Sequence, residues 1–229
     1  VAGLAIGAVL FFLLPEDEPR SPSAGGLAAV GAAFAAVFRN PQSILCGLIA
    51  GLLFIPTTIC DMVWGVRFVE EALGFDYGSA VVRSAMVPVG WIIGCPLLGA
   101  ISDRIGRRKP VIVGGAAVLL GCLAWILYGP ADVLPPYVLG LAAGLASGAA
   151  MLPYTVIKEA NLPQHSGTAT GVVNFINFTF SALLGPFFGW ALQHVSGGAE
   201  TMGIEHYQMA FLPLLVCVAV AIVLTLLLT

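Results

Sequence analysis

Gly99-Ala100-Ile101-Ser102-Asp103-Arg104-Ile105-Gly106-Arg107-Arg108-Lys109-Pro110 concentrates five charged side chains between two long apolar segments. The spacing predicts a helix ending near Ile105, a tight turn at Gly106 and a second helix opening near Pro110. Glycine suits the left-handed residue that closes a helix, and proline suits the first turn of the next. Cations alone would anchor such a loop at a membrane surface. Asp103 beside Arg104, and the glycines at 99 and 106, go beyond what an anchor requires.

Outward from this loop the chain reads as helices embedded in lipid. A span needs roughly 20 apolar residues, and six runs qualify: 43–65, 79–101, 111–128, 136–157, 168–192 and 207–229. Composition agrees: of 229 residues, 59% are hydrophobic and 9% charged, with a mean hydropathy of +0.99. Soluble domains carry charge on about a quarter of their residues. Nine Lys/Arg and twelve Asp/Glu cannot coat a water-facing globule of this length. A net charge of −3 argues against a nucleic-acid surface, and the hydrophobicity excludes disorder. The fold class is therefore an all-α integral membrane protein.

A seventh apolar stretch, 1–14, is too short to span and runs into Pro15-Glu16-Asp17-Glu18-Pro19. It is expected to be the end of a truncated helix. Residues 15–42 then form a linker. Its acidic, Pro- and Ser-rich first part reads as a mobile loop. Leu27, Val30, Phe34, Val37 and Phe38, near helical spacing and closed by Arg39, predict a short helix on the membrane surface. With residues 20–40 in the cytoplasm, Arg20, Arg39, Arg104, Arg107, Arg108, Lys109 and Lys158 lie inside, while Arg67 and Arg83 lie at the outer side. Seven against two follows the positive-inside rule. The expectation is a multi-pass protein of the inner or plasma membrane, with the linker and the C-terminus cytoplasmic.

Small residues recur at four-residue spacing in Gly47/Gly51, Gly90/Gly94, Gly140/Gly144/Gly148 and Gly185/Gly189, which predicts close backbone approach between helices. Pro56, Pro88, Pro96, Pro153, Pro186 and Pro213 fall inside spans and permit kinks. The five cysteines form no C-x-x-C pair and read as packing residues, with no cofactor or metal expected. Neither a phosphate-binding G-x-x-x-x-G-K-[ST] loop nor H-E-x-x-H or G-x-S-x-G is present, so an enzyme is not expected.

The 99–110 loop resembles the G-x-x-x-D-R-x-G-R-R motif of the major facilitator superfamily. In that family the motif joins the second and third helices, and a copy joins the eighth and ninth. The partial helix, the long linker and the six spans are similar to the end of helix six, the central loop and helices seven to twelve. Gly90-Trp91-Ile92-Ile93-Gly94-Cys95-Pro96 and Gly167-Thr168-Ala169-Thr170-Gly171-Val172-Val173-Asn174-Phe175 look like bacterial metabolite transporters of the sugar-phosphate-permease-like branch. Gly185-Pro186-x-x-Gly189 is similar to an antiporter motif that belongs on helix five, so no antiporter inference is carried over.

The resemblance implies a secondary transporter of a small metabolite working by alternating access, with the N-terminal six-helix half as partner and the bilayer as solvent. Its coupling is to a co-transported proton or to an exchanged solute. Multidrug efflux, or a non-transporting receptor or fragment, are the alternatives. It also implies a cytoplasmic gate built from Gly99, Asp103, Arg104, Gly106, Arg107 and Arg108. Glu159, across from the loop, is expected to pair with Arg104 or Arg107. Thr170, Asn174, Asn177 and Ser181 share one helical face, which lines the substrate cavity or ties helices together. On the first span, Phe54, Thr57 or Thr58, Asp61 and Trp64 form a second stripe. Asp61 lies about 27 Å along that helix, as a proton site, an outer-gate partner of Arg83, or an interfacial carboxylate. Arg83 either binds an anionic substrate or snorkels to the surface. Trp91 and Tyr154 are candidate cavity aromatics.

Overall fold

The fold was obtained as a computed structural model, which describes residues 2–13, 26–130, 135–199 and 201–229. Two compact units are present, Val1–Ala33 and Phe34–Thr229. The first holds α1 (Ala2–Leu13) and the start of α2 (Gly26–Arg39). The acidic stretch 15–19 and Arg20 lie outside the described residues.

In the second unit, the end of α2 is amphipathic as its spacing predicts. Val37 is fully buried, and the Phe38 ring meets Phe175 edge-on at 6.2 Å. This face packs on another helix of the bundle. Asn40 ends α2 and caps α3 (Pro41–Ile55): its Oδ1 accepts the Gln42 N–H at 3.0 Å, with Pro41 in the first turn. Beyond α3 come α4 (Gly65–Glu71), α5 (Tyr77–Ile105), α6 (Arg108–Tyr128), α7 (Pro136–Ser147), α8 (Leu152–Glu159), α9 (Ser166–Val195) and α10 (Ile204–Leu226). Among the described residues they form six membrane-capable spans: Pro41–Val63, Tyr77–Ile105, Arg108–Tyr128, Tyr137–Glu159, Pro163–Val195 and Ile204–Leu226. Every predicted span is found. The second and fifth run longer than their apolar cores, and a side-chain cap opens the second. Asp76 accepts the Ser79 N–H at 3.2 Å and the Ser79 hydroxyl at 2.5 Å.

Two spans are broken, and proline explains where. Pro56 has no N–H to continue α3, and the span goes on as a π-helix over Pro56–Val63, closed by a Trp64 N–H to Ile59 C=O bond of 3.1 Å. The fourth span passes from α7 through a 3₁₀ turn, Gly148–Met151, into α8, where Pro153 occupies the first turn. Irregular backbone survives at membrane depth only where protein covers it. Both broken spans are 67% buried, against 17% for the span of α5 and 22% for that of α9. Pro88, Pro96, Pro186 and Pro213 sit inside unbroken helices.

The glycine stripes sort into a seam and an exception. On α5 and α7, a Cβ at Gly90 would lie 2.6 Å from the Leu141 carbonyl oxygen, and one at Gly140 2.8 Å from that of Arg83. Gly94, Gly144 and Gly148 are equally closed by facing backbone. Backbone therefore meets backbone along this pair, as the spacing predicts. Gly47 and Gly51 make room for the side chains of Ile176 and Phe180 on α9. Gly185 and Gly189 meet no facing backbone among the described residues. Nothing lies within 4 Å of a Cβ at Gly185, and one at Gly189 meets only Trp64, at 3.5 Å. Small-residue spacing marks a permissive face, and a neighbour must still arrive to use it.

Candidate transport site and gate

The end of the bundle bearing the 99–110 loop is organised by one arginine. Gly106 adopts φ +69°, the left-handed conformation that glycine tolerates, and its N–H bonds the Ser102 carbonyl at 3.0 Å. This turn delivers Arg108 to the first position of α6. Its Nη1 pairs with Asp103 and reaches the buried Ser102 hydroxyl at 3.1 Å, while Nη2 contacts Glu159 Oε1 at 2.8 Å. The planar fork of the guanidinium can hold both carboxylates at once. The expected partnership of Glu159 with Arg104 or Arg107 is thus corrected. Arg104 closes α5 exposed, and Arg107 sits in extended backbone before α6. Gly99 has open space around it on this chain.

Beside this pair runs a polar latch that the sequence did not announce. Asn40 Nδ2 donates to the Ala160 carbonyl at 2.8 Å. Asn161 Nδ2 donates to the Ser43 hydroxyl and to the Ile157 carbonyl, each at 2.8 Å. Only a sequence separation near 120 brings these groups together, so no local pattern signals them.

At the opposite end, Asp61 lies in the π-helical segment and pairs with Arg83 of α5. Asp61 is 0% exposed and Arg83 2%. Two of the earlier alternatives are thereby removed: Asp61 is not an interfacial carboxylate, and Arg83 does not snorkel. Asp61 Oδ2, Arg83 Nη2 and the Ser84 hydroxyl have no hydrogen-bond partner among the described residues. A buried charge pair with unsatisfied atoms is costly, which makes it a candidate functional feature. Between the first two spans, Glu71 gathers the Arg67 guanidinium at 2.7 Å, the Tyr207 hydroxyl at 3.1 Å and the Met202 N–H at 3.3 Å. That carboxylate holds the Arg67 guanidinium above its ordinary pKa.

Between the two ends, the predicted cavity residues form separate contacts. Trp91 Nε1 donates to the Ser147 hydroxyl, which itself donates to the Gly144 carbonyl at 3.1 Å. The Trp91 ring meets Phe54 edge-on, with centroids 5.8 Å apart. The Tyr154 hydroxyl donates to Asn174 Oδ1 at 2.8 Å. Asn177 is buried, its Oδ1 unpartnered among the described residues. Thr57 is turned to its own helix, donating to the Phe54 carbonyl at 3.1 Å, and Thr170 likewise donates to Ser166 at 3.1 Å. Ser181 is half-buried. Ser147 was missed because a lone serine among glycines and alanines reads as packing.

Residues 1–186 match the family model described as Major Facilitator Superfamily. Among curated proteins, the chain is similar to Multidrug resistance protein 3 of Bacillus subtilis (strain 168), 29% identical over 154 residues, 66% of this chain and 29% of that protein. It is also similar to the Gallate transporter of Pseudomonas putida, 30% identical over 158 residues, covering 65% and 34% of the two chains. The Membrane sensor protein UhpC of Salmonella typhimurium is 27% identical over 164 residues, covering 69% and 36%. The chain thus spans about a third of the length of these relatives. Six apolar spans, the Gly106 turn, the arginine that follows it and a family match over most of the chain lead to one conclusion. This multi-pass membrane protein belongs to the major facilitator superfamily of transporters.

Proposed function

We propose that this chain is one six-helix half of a secondary transporter that moves a small organic anion by alternating access. The observation that carries this reading is the buried Asp61–Arg83 pair, in a segment whose α-helical ladder is already broken. A guanidinium kept from lipid and water, with one unpaired Nη2, suits a carboxylate or similar anion better than a hydrophobic cation. The name of the gallate-transporting relative fits that class. Asn174, Asn177, Ser181, Thr170, Thr57, Trp91 and Tyr154 are the further candidate contacts. A carboxylate beside the site makes a co-transported proton the coupling ion of choice.

The N-terminal half is proposed to close the molecule over α5 and α9. These spans are the least buried of the six, and Gly99 leaves room for close approach on α5. The 99–110 loop faces the cytoplasm in this reading. The Arg108–Glu159 tie then serves as the cytoplasmic gate. The test is uptake by the intact protein in liposomes against a panel of organic anions, sugars, amino acids and cationic drugs, with an imposed pH gradient varied. Organic-anion uptake lost in Arg83→Gln supports the proposal. Transport of cationic drugs alone, with Arg83→Gln fully active, would reject it. Flux that ignores the gradient would reject the proton.

A further inference from the structure

We propose that the cleft at the loop end is a binding site for an anionic phosphate group, presented by a lipid head group or as the free ion. The cleft encloses about 550 Å³ and is bounded by Asn40 and Gln42, by Arg107, Arg108 and Lys109, and by Glu159. That space takes a head group as readily as a bare ion. Three cations face one carboxylate. Arg108 is occupied by Asp103 and Glu159, whereas Arg107 and Lys109 have no acidic partner among the described residues.

Buried Val156 and Leu228 also line the cleft and lower its polarisability beside the charges. A concavity with apolar walls and one sign of excess charge strengthens the field felt by an anion. Gln42 adds neutral donors: its Oε1 accepts the Thr229 N–H at 3.0 Å, and its Nε2 has no partner among the described residues. Arginine forks and a lysine point charge together suit phosphate oxygens. Basic pockets between spans at a membrane surface recognise lipid head groups by this chemistry.

The site would also act on the gate, a consequence that rests on the transport reading above. A phosphate seated between Arg107 and Lys109 competes with Glu159 for Arg108 Nη2. Occupancy then loosens the tie between α6 and α8. The binding itself does not depend on that reading and is tested separately.

The experiment measures retention of phosphatidylglycerol against phosphatidylcholine by the intact protein in detergent, using native mass spectrometry. A parallel titration uses inorganic phosphate. Preferential retention of phosphatidylglycerol is expected. Removing each cation should weaken it about fivefold, so Arg107→Gln with Lys109→Gln weakens it about twenty-five-fold. Arg107→Lys with Lys109→Arg, which keeps the charge and controls for folding, should retain binding. Arg104→Gln removes a cation at the same end but outside the cleft, and should change retention by less than about twofold. If inorganic phosphate binds with the same variant pattern and phosphatidylglycerol is not preferred, the site holds and its ligand is the free ion. If neither probe binds, or Arg104→Gln weakens retention as much as the double variant, the proposal falls.

Discussion

Neutralising one member of the Asp61–Arg83 pair should damage this protein far more than replacing both. In Asp61→Asn, a guanidinium with 2% exposure is left without a carboxylate, in a place where it cannot reach water. Arginine cannot discard its proton to escape. Breaking a buried pair this way costs about 3–5 kcal/mol. Asp61→Leu combined with Arg83→Met removes both charges and the unsatisfied Asp61 Oδ2 and Arg83 Nη2 with them, and the same reasoning puts that double variant within about 1 kcal/mol of the parent, or above it. With each single substitution that breaks the pair costing about 3–5 kcal/mol, the coupling between the two sites should be at least about 5 kcal/mol, well beyond the few tenths expected of independent positions. The assay is a double-mutant cycle on the intact protein in micelles, with reversible denaturation followed by tryptophan fluorescence. Uptake measured alongside should be lost in the double variant despite its recovered stability. Additive costs, or an Asp61→Asn cost under about 1 kcal/mol, would refute the claim that burial makes this pair interdependent.

Other perturbations probe the rest of the molecule. Gly144→Ala presses a methyl group into the α5 backbone and should cost about 1–3 kcal/mol, whereas Gly185→Ala, facing open space, should be neutral or stabilising; thermal denaturation of both tests the seam. Glu159→Gln weakens an ion pair whose carboxylate is 52% exposed, so its stability effect should stay under about 1 kcal/mol. Spin-label distances across the bundle should nevertheless shift toward the state open at the loop end. Tyr154→Phe removes the donor to Asn174 and should raise KM for the transported anion more than it lowers turnover, as read from initial uptake rates. The Ser79 hydroxyl bond, with the Ser79 N–H, holds the Asp76 carboxyl below its ordinary pKa. A depressed carboxylate stabilises the fold above its ordinary pKa and loses that contribution as pH falls through its lowered value. Protection factors at the start of α5, corrected for the intrinsic pH dependence of amide exchange, should accordingly fall on acidification and lose that pH dependence in Asp76→Ala.

How far the site could be read in advance depended on the range of the forces involved. Asp61 and Arg83 stood out as charges within apolar runs, because a charge in lipid is expensive wherever its partner lies. Their mutual pairing was only one of three options, since nothing local reports which way the π-helical segment turns Asp61. Glu159 was rightly placed at the loop end, but its partner was assigned to the wrong arginine. Three neighbouring cations differ in reach only once the Gly106 turn has set the first residue of α6. Thr57 and Thr170 shared faces with cavity candidates, yet their hydroxyls bond carbonyls one turn back. A helical wheel does not show that competition.

The sequence by itself determined the number and order of the spans, the break at Gly106 and the stripes at which backbones could meet. These follow from apolar length and from single-residue backbone preferences, both local properties. Tertiary structure alone decided which glycines found a facing backbone, which arginine bridges Asp103 and Glu159, and how Asn161 and Ser147 acquired partners. Those outcomes depend on the rotation and register of helices 50 to 120 residues apart. A shift of one residue turns a side chain by about 100° and changes its partner.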